Sequence, residues 1–272
     1  MRNALSIDVE DWFCVHNMSG VIKFEEWGRL ESRVERNVMA LLEILSQTKT
    51  KATFFVLGWV AERKEDMVRA IRQEGHEVAT HGYSHRLLTS LRPREFEDDL
   101  VKSLTVLRNC IPDPVIGFRA PSFTITKQTL WALEILAKHG IKYDSSVFPV
   151  GFHPDYGIRD SPRQPYKIRD DLWEFPLSTL EIGSRRVPIS GGAYFRIFPY
   201  AFTRFAIRGV NQEGLPVVFY LHPWEIDPCQ PRLRLPWVKK FRHYCNLDKT
   251  EARLRMLLSE FQFTTIRDLL TL

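Results

Sequence analysis

Short apolar runs alternate along the chain with longer segments of helical spacing. Runs rich in β-branched and aromatic residues occupy 4–8 (ALSID), 52–58 (ATFFVLG), 77–81 (EVATH), 115–119 (VIGFR), 141–145 (IKYDS), 172–176 (LWEFP) and 216–222 (PVVFYLH). They read as strands. Between most of them lie helical patterns, at about 34–48, 60–74, 93–109, 126–138 and 199–213, with Val38, Leu41, Leu42 and Leu45 setting the spacing in the first. Thr126 is the expected N-cap of the fourth helix, and Gly140 follows its end. Strands separated by helices imply a parallel sheet with crossover connections. Seven such units predict an α/β fold, a distorted (β/α) barrel of seven parallel strands.

Two regions interrupt the alternation. Residues 149–171 hold four prolines (149, 154, 162 and 165) and two glycines, so a long loop is expected there. Residues 223–248 are also Pro-rich and read as irregular. A last helix at about 249–261 precedes the segment FTTIRDLL. No repeat or low-complexity segment divides the chain. The expectation is one domain, a catalytic barrel over 1–223 with a C-terminal extension, 224–272, packed on it.

Composition adds bounds. With 272 residues, 44% of them hydrophobic and 26% charged, the chain is ordinary globular material. Its longest apolar runs, such as VVFYL at 217–221, are too short to span a bilayer. The opening residues MRNALSIDVE read as a strand rather than a secretory signal, so a cytoplasmic protein is expected. Cys14, Cys110, Cys229 and Cys245 are scattered with no CxxC, which argues against a disulfide framework or a cysteine metal site. The net charge of +5 gathers late, where Arg232, Arg234, Lys239, Lys240 and Arg242 occur with no acid between them. No nucleic-acid motif accompanies this charge, and none is expected as a partner.

Chemistry collects where barrel strands end and loops begin. Asp8 ends the first strand, His81 the third, Arg119 the fourth, Asp144 the fifth and His222 the seventh. His81 and His85, in HGYSH, have the i, i+4 spacing that brings two imidazoles together on one helical turn, the geometry that zinc and related metals use. Asp8, Glu10 and Asp11, in SIDVEDW, crowd three carboxylates beside Trp12 and Phe13, and a cation would relieve their repulsion. One of them can complete a two-His, one-carboxylate site and another can serve as general base. Arg119 can hold and orient a carboxylate. His222, close to a metal, is a candidate general acid.

The segments SIDVED, HGYSH, RAPSF, DSSVF and YLHPW, in that order, resemble the five motifs of the polysaccharide deacetylases, carbohydrate esterase family 4. The similarity covers residues 4 to about 223. It is closest to a prokaryotic subgroup with DVED and LHPWE motifs, associated with exopolysaccharide biosynthesis. The resemblance implies a distorted barrel and a metal-dependent hydrolase that removes an acetyl or other acyl group from an N-acylated sugar. The implied partner is an N-acetylated glycan, and the implied cofactor is a divalent metal, zinc first. By position, Asp8 matches the catalytic base, His81 and His85 the metal ligands, and Arg119 the residue bracing the base. Pro121 matches a groove wall, His222 the catalytic acid, and Leu221 part of the acyl pocket.

Two departures stand out. Val9 follows Asp8 where the family has a second aspartate, so the third metal ligand is Glu10 or Asp11. Strand alternation puts positions 8 and 10 on one side, whereas a bulge would present Asp11. The fourth motif has Val147 where the family has the aspartate that orients the acid histidine. Glu174 and Glu225 are the substitutes considered. Tyr156, Tyr166, Tyr194 and Phe195 could stack on sugar rings. The stretch RLRLPWVKKFR (232–242) mixes Leu, Trp and Phe with its charges, which suggests peripheral contact with the inner membrane. Two other activities fit the same residues: a C–N hydrolase of a small amide or cyclic ureide, and a non-catalytic carbohydrate-binding protein. A closed pocket would favour the small amide and a shallow groove the glycan.

Overall fold

The structure is a computed structural model that describes residues 1–151, 156–169 and 171–272. In chain order its strands are β1 (Arg2–Val9), β2 (Thr53–Val56), β3 (Glu77–Thr80), β4 (Gly117–Phe118), β5 (Tyr143–Asp144), β6 (Tyr166–Arg169), β7 (Leu172–Glu174), β8 (Thr179–Ile182), β9 (Arg185–Pro188), β10 (Val218–Leu221) and β11 (Gln262–Thr264). The helices are α1 (Val34–Gln47), α2 (Gly58–Ala61), α3 (Glu65–Gln73), α4 (Pro93–Cys110), α5 (Trp131–Lys138), α6 (Ala193–Ile197), α7 (Tyr200–Gln212), α8 (Trp237–Tyr244), α9 (Leu247–Glu260) and α10 (Ile266–Leu270).

The seven expected strands lie side by side in the order β10-β1-β2-β3-β4-β5-β7, all parallel. The sheet curls into a half-barrel. Among the described residues the outermost parallel strands, β10 and β7, are not paired with each other, and β6 continues the sheet beyond β7. On the free side of β10, Gly191 bridges to Tyr220. The approach is so close that a Cβ on Gly191, whose φ is +117°, would lie 2.0 Å from the Tyr220 carbonyl oxygen.

Alternation along the strands sorts side chains to two faces. Leu5, Ile7, Val9, Phe54, Val56, Phe219 and Leu221 join the main core with Leu41 and Leu45 of α1 and Leu100 and Leu104 of α4. Ala4, Phe55, Ala79, Tyr143, Val218 and Tyr220 form a second cluster on the other face, with Phe123, Phe148 and Ile266. Asp8 keeps the parity of Ala4, so it lies on this second face, at the strand end.

The structure departs from the expected elements at several points. Strands β6, β8, β9 and β11 were not expected. β6 pairs antiparallel with β7, β8 and β9 form a separate hairpin, and β11 adds a parallel neighbour to β1. Each is short and mixed in polarity (YKIR, RRVP, QFT), so no apolar run announces it. The second helix is split: α2 ends at Ala61 and α3 starts at Glu65. Thr126 does not cap α5, which begins at Trp131; its hydroxyl accepts the Gln128 N–H in the preceding turn. The segment 223–248, expected to be irregular, contains α8. Pro154 of the Pro-rich 149–171 stretch lies outside the described residues. The C-terminal extension reaches the sheet itself through β11, and Ile266 N–H donates to Thr53 Oγ1 at 2.9 Å.

Candidate active site

The strand ends of β1, β3, β4 and β10 bring Asp8, Glu10, His81, His85, Arg119 and His222 together. Arg119 is fully buried; its Nη1 donates to Asp8 Oδ1 and to Ser6 Oγ, both at 2.7 Å. The rest of its guanidinium is held by the Ser145 carbonyl and hydroxyl, at 2.9 Å each, and it lies 4.2 Å over the Phe55 ring. Every guanidinium nitrogen is thus committed, and one oxygen of Asp8 is fixed in direction.

Glu10, His81 and His85 are buried, and one ligand atom from each lies within 4.8 Å of the others. His81 Nδ1 sits 2.8 Å from the Arg119 carbonyl, which makes it the donor and leaves Nε2 as a lone-pair ligand. Burial pushes His81 down to about 4, so the ring is neutral at pH 7. Burial alone would raise Glu10, but His85 and His222 hold its carboxyl well below the usual range. Among the described residues its Oε2 has no hydrogen-bond partner, and it lies 3.2 Å from His85 Nε2. A buried, ionised carboxylate oxygen without a donor, facing two imidazoles, is the chemistry of a divalent-cation site.

Asp11 lies elsewhere. Its carboxylate accepts the backbone N–H groups of Trp12, Arg33 and Val34 at 3.0, 2.9 and 3.3 Å, satisfying the start of α1. Glu10 lies just past the end of β1, its N–H donating to the Asp8 carbonyl at 3.0 Å, and stands with His81 and His85. A non-helical loop after β3, not the helical turn their spacing suggests, brings the two histidines together.

His222 follows β10 and has a second carboxylate on its far side. Its Nε2 is 3.2 Å from Glu10, and its Nδ1 is 2.6 Å from Glu225 Oε1. Burial would lower His222, but these two carboxylates outweigh it and raise the ring to about 10. Burial would likewise raise Glu225, yet the Arg196 guanidinium and His222 bring it to about 2. Glu174, the other substitute considered, is not near His222; it accepts the N–H groups of Ser146 and Val147 at 3.2 and 3.0 Å. The Val147 side chain is buried in the main core.

Arg196 was not anticipated from the sequence. It is 1% exposed on α6, and its Nε donates to Glu225 Oε2 at 2.5 Å. Its remaining nitrogens donate to the carbonyls of Arg242 (2.8 Å), His243 (2.9 Å) and Cys245 (3.2 Å). The signal available was an arginine inside the aromatic segment AYFRI, a charge that must be paired if that helix is buried. Trp224 stacks between His222 and His243, at 5.1 and 4.3 Å between ring centroids.

Asp8, Glu10, His81, His85, Arg196, His222 and Trp224 line an open cleft of about 130 Å³, with Ser122, Phe123, Tyr156 and Tyr194 on its wall. Ser122 and Phe123 both have positive φ, 52° and 58°, a conformation uncommon outside glycine. Tyr156 and Tyr194 meet through their hydroxyls at 3.1 Å. Pro121 is buried and does not line the cleft; Ser122 and Phe123 after it do. Leu221 is also not a lining residue, because strand parity turns it into the helix-facing core while Tyr220 and His222 face the cleft. Phe195 is buried against Phe219 at 4.9 Å, and Tyr166 lies on the edge strand β6. Two further depressions adjoin the cleft. One shares Val15, His16 and His85 and is bounded by Lys23 and Phe24; the other shares Tyr194 and is bounded by Arg159 and Arg185.

The chain was compared with protein families, with curated proteins and with solved structures. Residues 26–143 match the family model described as polysaccharide deacetylase, and residues 145–271 match a domain of unknown function (DUF3473). The cleft draws on both matched segments and on β1, which precedes them. A peptidoglycan deacetylase of Helicobacter pylori is 31% identical over 145 residues, 53% of this chain and 48% of that protein. A chitooligosaccharide deacetylase of a Bradyrhizobium species is 29% identical over 97 residues, 36% of this chain and 42% of that protein. The chain thus spans under half the length of these relatives. Among solved structures, a Mycobacterium smegmatis protein described as a polysaccharide deacetylase superposes with a TM-score of 0.66 at 19% identity, covering 98% of this chain and 89% of that one. A family 4 carbohydrate esterase pseudoenzyme from Bacillus anthracis superposes with a TM-score of 0.54 at 16% identity, covering 99% and 65%. At these identities the superpositions show a shared fold, and a pseudoenzyme among them means that fold alone does not carry activity.

Proposed function

We infer, from a chain that belongs through residues 26–143 to the polysaccharide deacetylase family, that it hydrolyses the amide of an N-acylated sugar with the help of a divalent cation. The observation that carries this is the buried Glu10, His81 and His85 triplet with Asp8 and His222 beside it. The orphaned Glu10 Oε2 and the fixed tautomer of His81 fit a cation held by these three residues. Two histidines and a carboxylate suit zinc and equally accept cobalt, nickel or iron. When bound, the cation supplies Lewis acidity toward the amide carbonyl and the attacking water.

The chain's own residues divide the proton work. Asp8, aimed by Arg119, takes the proton from the attacking water. His222 gives a proton to the departing amine nitrogen, and Glu225 keeps its Nδ1 protonated so that Nε2 faces the cleft. Glu225, backed by Arg196, thus stands in for the carboxylate absent at Val147. Products would be a small carboxylic acid and a free amino sugar.

An open cleft with adjoining depressions and two tyrosines on its wall supports a glycan over a small cyclic amide. Peptidoglycan and chitooligosaccharides, named for the relatives, are the first substrates to try. The test is acetate release from N-acetylated oligosaccharides with and without added zinc, in the native chain and in His81→Ala. Zinc-dependent release that the variant loses is expected. Undiminished release by a variant that binds no metal would overturn the mechanism. A cation-loaded native chain that binds glycan and releases no acetate would favour a carbohydrate-binding role, the reading that the change to Val147 supports.

A further inference from the structure

Helix α8 presents an apolar face that none of the described residues covers. Trp237, Val238 and Phe241 are 77%, 51% and 49% exposed, and Trp237 is the most exposed large hydrophobic side chain among the described residues. At about 100° per residue, the three fall within one arc of the helix. The helix is not loosely attached. His243 is buried in its stack on Trp224, and Tyr244 Oη accepts the Leu233 N–H at 3.0 Å. A seated helix that turns a tryptophan, a valine and a phenylalanine to solvent calls for a partner.

The charge around this arc has one sign. Lys239, Lys240 and Arg242 share the helix, and Arg232 and Arg234 are exposed on the approach to it. From Pro228 to Leu247 no aspartate or glutamate occurs. Shallow aromatic side chains ringed by lysine and arginine match an interface of acyl chains under anionic headgroups. A nucleic-acid backbone would match the charge alone and leave Val238 and Phe241 without contacts.

We propose that α8 seats this protein on an anionic lipid surface. The same helix borders the catalytic cleft: Arg242 lines it, and Arg196, which holds Glu225, donates to the Arg242 and His243 carbonyls. A lipid surface at Trp237 would therefore bring the cleft close to the headgroups, in reach of a glycan carried on the membrane. That last clause rests on the hydrolase reading; lipid binding does not.

The test is co-sedimentation of the full chain with phosphatidylcholine vesicles and with vesicles of roughly one-third phosphatidylglycerol, at low and high salt. Capture by the anionic vesicles at low salt is expected, weakened by salt and small without the anionic lipid. Trp237→Ser with Phe241→Ser should lower the partition coefficient on the order of tenfold or more, and Lys239→Ala with Lys240→Ala should do the same at low salt. Circular dichroism and zinc binding should stay native in both variants. No capture by anionic vesicles would overturn the proposal, as would native-like capture of the Trp237→Ser, Phe241→Ser variant. A native chain that self-associates through Trp237 in place of binding vesicles would also overturn it, making α8 a contact between copies. Loss of acetate release with vesicle binding intact would count against the hydrolase reading alone.

Discussion

His222 Nδ1 and Glu225 Oε1 lie 2.6 Å apart, three residues from each other on one turn, and Glu225 also accepts the His222 backbone N–H at 3.0 Å. One carboxylate oxygen thereby fixes both the ring and the backbone that carries it. Glu225→Gln should lower kcat about 10- to 100-fold with KM and zinc affinity nearly unchanged, because the amide can no longer secure the protonated ring. Glu225→Asp should recover part of the loss. Steady-state kinetics beside calorimetric zinc titration separate these effects; a change confined to KM would remove Glu225 from the proton path.

Arg196 and Glu225 form an ion pair buried to 1% exposure on each side chain. Removing one partner of such a pair leaves the other charge uncompensated, at a cost of about 3–5 kcal/mol. Arg196→Met should therefore destabilise the protein by about that amount, and adding Glu225→Gln should restore part of the loss. Chemical denaturation of the two singles and the double measures this. Strict additivity would mean that the pair is not coupled.

Glu10 and Asp11 should separate cleanly. Glu10→Gln should abolish tight zinc binding, because it removes the ionised oxygen beside His85. Asp11→Asn should keep zinc binding and cost about 1 kcal/mol of stability, the usual range for weakening a helix N-terminal acceptor. Zinc titration with thermal melts decides it; the opposite pattern would place Asp11 on the cation.

Asp144 and Glu174 are fully buried, each with an oxygen that has no hydrogen-bond partner among the described residues. Burial raises both carboxyls, and the Asp144 charge adds to the rise at Glu174, so the pair holds a proton above the normal carboxylate range. An unfolded carboxylate releases its proton near pH 4. Between there and the raised value the native state binds more protons, so stability falls as pH climbs through that window. Glu174→Gln, which keeps an acceptor for the Ser146 and Val147 N–H groups, should flatten this slope. An unchanged pH dependence of the melting temperature would show that the pair is not its source.

The strands bearing Asp8, His81, Arg119 and His222 were legible because each is a short run rich in apolar or β-branched residues that ends on a polar residue. The choice between Glu10 and Asp11 was not, since it depends on the N–H groups of Arg33 and Val34, far along the chain at the start of α1. Glu225 was within reach as an acid three residues after His222. Arg196 was not, because besides Glu225, 29 positions away, its partners are backbone carbonyls at the end of α8 and just after it, and no residue pattern announces a carbonyl. The hairpin of β8 and β9 lacks an inward apolar run, and β11 is too short to carry one.

The neighbours of β1 have a consequence for synthesis. The strand carrying Asp8 lies between β2 and β10 and also pairs with β11, and Asn3 Oδ1 accepts the N–H of Val217, 214 positions away. As the chain leaves the ribosome, β1 therefore waits with one edge open until β10 and β11, more than two hundred positions on, have emerged. Contacts this distant make for slow folding, and truncated chains should be both inactive and prone to aggregate through the β1 edge.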